Sequence, residues 1–182
     1  MFTIDKESGH LNEAVQLHSP NCDSRPGDEL SVIVIHGISL PPAEFGGQHI
    51  DNFFMNSLNP DLHPYFEEIK DLKVSSHLLI ERNGTIKQFV PFTKRAWHAG
   101  VSEFNNRDCC NDFSIGIELE GSDDIAYTDI QYDVLQQLCE CLQKSYPAIL
   151  KQNIVGHCDI ASGRKTDPGA SFDWQRFKAK WA

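Results

Sequence analysis

The chain has 182 residues and a formal net charge of −10 at pH 7, from 26 Asp and Glu residues against 16 Lys and Arg residues. This length suits one domain of ordinary size, residues 1–182. The excess of negative charge argues against nucleic acid or an anionic membrane surface as the main partner. Any anionic ligand therefore needs a local cluster of Arg and Lys.

The predicted location of the protein is the cytoplasm. No apolar run approaches the length that spans a bilayer, and the N-terminus lacks the basic start and apolar segment of an export signal. The six cysteines show no spacing typical of a zinc knuckle or a redox pair. Free thiols in a reducing compartment are the simplest interpretation.

The first part of the chain contains one candidate functional side chain, His36. Residues 1–29 are polar and rich in turn-forming residues, which predicts an irregular arm wrapped on the domain. Residues 30–35 form an almost unbroken apolar run with many β-branched side chains, which predicts a central strand buried on both faces. The run ends at His36. A rigid strand end favours a functional group, and the alternative is a hydrogen-bonded core histidine.

Two loops and a helix follow. Residues 37–47 and 59–64 are rich in Pro and Gly and are predicted to form substrate walls or lids. A helical segment passes between them through Ile50, Phe53 and Phe54.

The clearest hairpin covers residues 75–90. Its centre is Asn83-Gly84, the dipeptide that a tight primed turn prefers. His77 shares a strand face with Leu79, which indicates a buried structural histidine and not a ligand.

Two further segments carry candidate functional side chains. Trp97 and His98 stand on a loop rimmed by small residues, which suits a flat ligand, and the alternative for Trp97 is a plug at the edge of the core. Ser114–Glu120 alternates strictly and predicts a strand. Gly116 leaves room beside Glu118 for something to approach the sheet. Glu118 is either a solvated edge charge or a catalytic group.

The chain ends with two predicted helices on either side of a loop. Residues 128–146 form the best helix, with a capping box between Thr128 and Gln131, and it packs on the sheet. Residues 171–181 form a shorter helix, with three aromatic side chains on one side that are predicted to join the core: Trp174, Phe177 and Trp181.

The loop between these helices holds a second group of polar side chains. A short strand at 154–155 delivers His157, and residues 156–169 are too rich in Gly and Pro for regular structure. Pro168 favours an extended backbone at Asp167, so that its carboxylate is aimed in one direction. The alternative is an ordinary polar surface loop.

These residues form a plausible metal site if they meet. His36, His157 and Asp167 make a ligand set for zinc that leaves a fourth position open to water. Glu118 suits the handling of a proton, and Lys165 suits the stabilisation of oxyanion charge. The two histidines lie far apart in the sequence, so spacing alone does not show that they meet.

A family resemblance indicates that these residues meet. It rests on segments that run in order through most of the chain. They are residues 34–36, 38–42, 63–66, 95–102 (RAWHAGVS), 110–114, 117–121 and 156–169 (GHCDIASGRKTDPG). Through them the sequence resembles the zinc-dependent N-acetylmuramoyl-L-alanine amidases, and among these the cytoplasmic 1,6-anhydro-N-acetylmuramyl-L-alanine amidases. The resemblance implies an α/β fold with a mixed central β-sheet flanked by helices, shared with phage amidase lysozymes and peptidoglycan-recognition proteins.

The resemblance also implies roles for individual residues. The implied zinc ligands are His36, His157 and Asp167. The implied catalytic residues are the carboxylate of Glu118 and the transition-state stabiliser Lys165. The implied substrate-binding residues are Trp97, Arg107 and Arg164.

The implied reaction is hydrolysis of the amide between (1,6-anhydro-)N-acetylmuramic acid and L-alanine in muropeptides, during peptidoglycan recycling. The expected partner is an anhydro-muropeptide, with no obligate protein partner. One alternative is the same chemistry on intact, exported peptidoglycan, which the missing signal and unpaired thiols disfavour. The other is a non-catalytic peptidoglycan-binding module, which the intact ligand set disfavours.

Three departures from the family pattern affect substrate affinity and leave the ligand set untouched. Gly37 follows the first histidine where the family commonly has Asn, which removes a side-chain donor. Ser162-Gly163 replaces the usual Pro-Glu pair. Lys73 stands where relatives can carry Arg, which weakens a bidentate grip on a carboxylate.

Overall fold

The computed structural model describes residues 1–179, and its centre is a six-stranded mixed sheet. The strands in this part of the chain are β1 (Ile4–Asp5), β2 (His10–Leu11), β3 (Val15–Gln16), β4 (Cys22–Ser24), β5 (Val32–Ile38), β6 (Leu78–Ile80), β7 (Ile86–Gln88), β8 (Lys94–Ala96), β9 (Glu103–Phe104), β10 (Arg107–Asp108), β11 (Ser114–Glu120) and β12 (Ile154–Gly156). The helices are α1 (His49–Phe54), α2 (Pro64–Ile69), α3 (Asp129–Ser145), α4 (His157–Ile160) and α5 (Trp174–Ala179). The predicted class, a mixed sheet flanked by helices, is confirmed.

The order of strands in the main sheet is β12-β5-β11-β6-β7-β3. The first four run parallel, and β7 pairs antiparallel with β6. The strand predicted from the apolar run at 30–35 is present as β5, but it begins at Val32, and its buried part is residues 32–36. The strand continues to Ile38 because β11 remains paired with it as far as Glu120. His36 therefore lies inside the strand and not at its last residue.

One face of the sheet packs against α3 and α5. Alternate residues of β5 and β11, such as Ile35 and Ile117, join Leu135 and Leu138 of α3 in the largest apolar core. The predicted capping box begins α3, since the Thr128 amide donates to Gln131 Oε1 at 3.0 Å and the Gln131 amide donates to Thr128 Oγ1 at 3.3 Å.

The C-terminal helix predicted at 171–181 is present as α5 from Trp174 to Ala179, whereas residues 171–173 are not helical. Phe177 is buried, and the partly buried Trp174 packs against the same core. The third predicted aromatic, Trp181, lies outside the described residues. No helix in the described residues combines the length and the apolar character needed to cross a membrane.

The other face of the sheet is covered by α1 and α2. Phe54 and Phe66 pack there against Leu79 and Phe89. The prediction of a loop at 59–64 is wrong in detail, because this segment contains a 3-10 turn and the start of α2. Two side chains cap these turns: Asn59 Oδ1 accepts from the Asp61 amide at 3.0 Å, and His63 Nδ1 accepts from the Tyr65 amide at 3.1 Å.

The predicted hairpin is present. Strands β6 and β7 are joined through Asn83 and Gly84, but only Gly84 has a positive φ, +87°, so the turn is not the primed type that this dipeptide prefers. His77 precedes β6 and is fully buried, and its Nδ1 accepts from the Gly116 amide at 3.0 Å. The interpretation of His77 as a structural histidine agrees with this position.

The N-terminal arm is not the irregular segment that the sequence predicts. It contains β1 to β4, of which β3 extends the main sheet beside β7 and β4 pairs with β8. Each of these strands has only two or three residues. Such short strands leave no periodic signal in the sequence, and their pairing partners lie far along the chain.

Candidate metal centre

Neighbouring strands bring the two candidate histidine ligands together. His36 in β5 pairs directly with Glu118 in β11, so both side chains point to the same face of the sheet. Gly156 of β12 pairs with Ile35, and the next residue, His157, therefore emerges beside His36. The positions of the three side chains follow from the register of the parallel strands.

The loop after β12 returns the candidate carboxylate to the same place. The Cys158 amide donates to the Asp167 carbonyl at 3.0 Å, which closes the loop at its base. The expectation of no regular structure in 156–169 is wrong at one point, because the single helical turn α4 begins directly after the strand. The Gly156 amide donates to Asp159 Oδ2 at 2.7 Å and so stabilises that turn.

Three ligand atoms form a compact triangle. His36 Nδ1 lies 3.0 Å from His157 Nδ1 and 3.2 Å from Asp167 Oδ2. His157 Nδ1 lies 3.0 Å from the same carboxylate oxygen. Ligands bound to tetrahedral zinc at about 2.0–2.1 Å are separated by about 3.3 Å, so the triangle has almost the size that zinc requires. The structure thus brings together the three predicted ligands.

The protonation of the ring nitrogens tests whether a cation fits this triangle. His157 Nε2 contacts the Ala99 carbonyl at 3.1 Å, and since a carbonyl only accepts, Nε2 carries the proton. In neutral His157 the lone pair of Nδ1 then points at the Asp167 carboxylate. Burial lowers the pKa of His36 to about 4, so the His36 ring is neutral at pH 7. Converging lone pairs and a carboxylate are the donor set that a divalent cation needs.

Glu118 lies beside the triangle as a buried carboxylate. Its Oε1 is 4.0 Å from His36 Nδ1, and its Oε2 has no hydrogen-bond partner among the described residues. Burial, and then the charge of Asp167, raise the pKa of Glu118 well above its usual range, against the opposing charge of Lys165. The alternative of a solvated edge charge is wrong, because β11 is a central strand and Glu118 is only 8% exposed.

The candidate ligands open into a groove of about 690 Å³. One wall is apolar, and the segment 37–47, predicted as a substrate wall, supplies only part of it, whereas no residue of the other predicted segment, 59–64, is among the described residues that line the groove. The residues of the apolar wall are Leu40, Pro42, Phe53, Phe54, Tyr65, Ile69, Leu72 and Val74. The other wall is polar and includes Ser122, Asp123, Asp124 and Lys165. Lys165 is exposed to solvent within this groove and therefore free to meet a ligand.

None of the three predicted substrate-binding residues is among the described residues that line the groove, since Arg164 is absent from the lining as well. Among the described residues, those that line the groove do not include Trp97 or Arg107. Trp97 is half-buried, and its amide donates to Ser75 Oγ at 3.1 Å. Arg107 donates to Glu29 at 2.9 Å and stacks 3.8 Å from the ring centroid of Phe113. Their role toward substrate stays a prediction.

Arg164, the third predicted substrate-binding residue, fastens two loops together. Its Nη2 donates to the carbonyls of Ala99 and Val101 at 2.6 and 2.8 Å. Ala99 is also the acceptor for His157, so Arg164 is tied to the loop that holds a candidate ligand. Arg164 is exposed, and a substrate-binding role for it also stays a prediction.

His98 is a site residue that the sequence did not assign to the metal centre. Its Nδ1 lies 2.9 Å from His36 Nε2, and its ring fills the space that Gly116 leaves open. The sequence predicted that something approaches the sheet at Gly116. It is a side chain of the protein itself. The signal available in the sequence was this glycine at an inward-facing strand position beside Glu118.

A known family accounts for most of the chain. The family model described as N-acetylmuramoyl-L-alanine amidase matches residues 26–170. The chain belongs to this family, and it is an enzyme of the N-acetylmuramoyl-L-alanine amidase class.

Relatives and solved structures point to one kind of amidase within the family. The chain is 56% identical to the 1,6-anhydro-N-acetylmuramyl-L-alanine amidase AmpD of Haemophilus influenzae, over 95% of each chain. It is 56% identical to the protein of the same name from Escherichia coli K12, over 94% of each chain. The crystal structure of a selenomethionine AmpD derivative matches with a TM-score of 0.93 and 55% identity, over 97% of each chain.

Proposed function

We propose that this enzyme is a zinc-dependent amidase of the cytoplasm that acts in peptidoglycan recycling. It hydrolyses the amide between 1,6-anhydro-N-acetylmuramic acid and L-alanine in muropeptides. The observation that carries the proposal is the triangle of His36, His157 and Asp167, with the buried carboxylate of Glu118 beside it. The relatives with about the same length and 56% identity carry the name of this activity, which supports the substrate class.

Substrate complexes of more distant relatives support the same ligand chemistry. The amidase AmiD from Escherichia coli, 28% identical with a TM-score of 0.61, is solved with anhydro-N-acetylmuramic acid-L-Ala-D-γ-Glu-L-Lys. AmpDh3 from Pseudomonas aeruginosa, 29% identical with a TM-score of 0.62, is solved with an anhydromuramic pentapeptide. The groove of this enzyme has an apolar wall for a sugar or peptide face and ends at the ligand triangle.

His36, His157 and Asp167 would hold the zinc ion, which when bound acts as a Lewis acid on the scissile carbonyl and lowers the pKa of water. Glu118 lies on the same face of the sheet as His36 and accepts the proton of the attacking water. Its raised pKa lets it hold that proton and return it to the leaving amine of L-alanine. Lys165 lines the groove and offers a positive charge to the developing oxyanion.

Asp167→Ala tests the metal set. The substitution removes one of the three ligand atoms, so we expect loss of stoichiometric zinc and loss of hydrolysis of a defined anhydro-muropeptide. Metal analysis of the purified protein and a product assay measure the two effects. Asp108→Ala removes an exposed carboxylate outside the triangle and serves as the control, which should retain zinc and activity. Full activity in a metal-free Asp167→Ala protein would refute the assignment.

A second assay decides between soluble and insoluble substrates. We expect turnover of the soluble anhydro-muropeptide to exceed the release of peptide from intact sacculi, measured at the same enzyme concentration. Equal or faster release from sacculi would favour an enzyme of exported peptidoglycan.

A further inference from the structure

We infer that His98 is a positioning residue that fixes the tautomer of His36 and so directs the lone pair of His36 Nδ1 toward the metal. The inference rests on the proposed zinc-dependent function and extends it to a residue that does not itself touch the ion. It follows from the direction of three consecutive hydrogen bonds in the metal centre.

The direction of these hydrogen bonds is set at the end farthest from His36, where Ser114 meets the Cys110 carbonyl. Ser114 Oγ lies 2.5 Å from the Cys110 carbonyl, and because a carbonyl only accepts, the Ser114 hydroxyl must donate to it. The hydroxyl has one proton, so toward His98 Nε2, at 3.1 Å, it can only accept. His98 Nε2 therefore carries the proton of that ring.

The same reasoning continues to the metal ligand. With its proton on Nε2, neutral His98 has a lone pair on Nδ1, which lies 2.9 Å from His36 Nε2. His36 Nε2 is therefore the donor, and the lone pair of His36 is on Nδ1, the atom in the ligand triangle. The backbone carbonyl of Cys110 thus determines that the nitrogen of His36 in the ligand triangle, Nδ1, carries the lone pair and not the proton.

We call the series of hydrogen bonds from the Cys110 carbonyl through Ser114 and His98 to His36 the relay. The fold holds the His98 ring rigidly within it. The Asn111 side chain accepts from the backbone amides of His98 and Ala99 at 3.1 and 2.8 Å. The ring packs on Gly116, where an added Cβ would lie 2.5 Å from His98 Cγ. The His36 and His98 rings are 5.0 Å apart at 88°, an edge-on arrangement that aligns the two nitrogens.

The relay matters because His36 is only 2% exposed. Without an acceptor at His98 Nδ1, the Nε2–H of His36 would be buried and unpaired, which disfavours the tautomer that binds metal. Partners of this kind orient metal ligands, and their loss typically weakens metal affinity by about 10- to 100-fold.

The first experiment compares His98→Leu with His98→Asn. Leu removes the acceptor, whereas the Asn Oδ1 occupies nearly the position of the histidine Nδ1 and keeps it. We expect the zinc dissociation constant, from chelator competition, to rise about 10- to 100-fold for His98→Leu and only a few-fold for His98→Asn. Equal loss in both variants would mean that the ring acts by packing alone and would overturn the inference.

The second experiment keeps His98 in the sequence but displaces its ring. Gly116→Ala must displace the ring, so we expect zinc affinity to fall in the same direction as for His98→Leu. Gly27→Ala is the matched control, because an added Cβ there meets nothing within 4 Å. Zinc affinity of Gly116→Ala equal to that of the control would count against the relay.

A direct reading of the tautomer completes the test. Long-range ¹H–¹⁵N NMR of the metal-free protein distinguishes protonated from lone-pair ring nitrogens. We expect the proton of His36 on Nε2 in the wild type and redistribution to Nδ1 in His98→Leu. If the wild type binds no zinc, the proposed function fails. If the wild type binds zinc and neither affinity nor tautomer changes in His98→Leu, the inference alone fails.

Discussion

Glu118 differs from the three candidate ligands because its carboxylate is left without a fixed partner. Its Oε2 has no hydrogen-bond partner among the described residues, although the side chain is buried. Burial raises the pKa of Glu118 well above its usual range, which favours its protonated form relative to an exposed carboxyl group. A group with these properties suits the transfer of a proton during hydrolysis better than the permanent binding of a cation.

Substitution of Glu118 should therefore separate metal binding from catalysis. We expect Glu118→Ala to keep zinc but to slow hydrolysis by about 10²-fold or more, because proton transfer loses its acceptor. Glu118→Gln keeps the side-chain volume and should be slowed similarly, which distinguishes proton transfer from packing. Metal analysis and single-turnover kinetics measure the two properties. Wild-type rates in either variant would remove Glu118 from the mechanism.

At the scale of elements, Tyr127 links the start of α3 to the loop that carries Asp167. Its buried hydroxyl donates to the Pro168 carbonyl at 2.9 Å. The side chain fits between two glycines: an added Cβ would lie 2.3 Å from the Tyr127 hydroxyl oxygen at Gly37 and 2.2 Å from the ring at Gly121. Gly37 stands where the family commonly has Asn. In this chain the Tyr127 hydroxyl occupies the space that a side chain at position 37 would need.

A double-mutant cycle tests this packing. We expect Gly37→Ala alone to lower the free energy of unfolding by about 1–3 kcal/mol through overpacking. Tyr127→Phe alone should lower it by about 1 kcal/mol through the lost hydrogen bond. The double variant should lose less than the sum, because removal of the hydroxyl relieves the clash. Urea unfolding measures all four proteins, and strictly additive losses would show that the two positions do not compete for space.

At the scale of the whole molecule, Arg25 fastens the N-terminal arm to the rest of the structure. Its guanidinium donates to the carbonyls of Phe92, Asn111, Asp112 and Ser114 at distances of 2.9 to 3.2 Å. Burial lowers the pKa of Arg25 to about 10, so the side chain remains charged at pH 7. Because two of these carbonyls belong to residues of the His98 relay and its supporting loop, the arm also stabilises the surroundings of the metal centre.

Arg25→Lys should destabilise the protein although the charge is kept. Lysine lacks the planar fork, so several buried carbonyls lose their donors, and we expect the free energy of unfolding to fall by about 2 kcal/mol or more. Arg107→Lys is the matched control, because Arg107 is exposed and Lys keeps both the charge toward Glu29, a pair worth at most about 1 kcal/mol, and a cation over the Phe113 ring. Urea unfolding of both variants measures the difference. Equal losses would show that the arm is not held through Arg25.

The elements with strong local signals are those that the sequence predicted well. The β-branched run that forms β5, the alternation in Ser114–Glu120, the position of the Asn83-Gly84 turn and the capping box of α3 each express a preference that neighbouring residues impose. The strands of the arm and the helical turn α4 were missed. Their stability comes from partners distant in the chain, which no local pattern records.

The sequence by itself determined the residue types of the site and, through the family resemblance, the set His36, His157 and Asp167. Only the tertiary structure decided that their ligand atoms lie within 3.2 Å of one another, because that distance depends on the register of three strands and the return of a loop. The relay from Cys110 to His36 was likewise invisible in the sequence. Hydrogen-bond direction depends on which donors and acceptors meet in space, and this is settled only when the chain has folded.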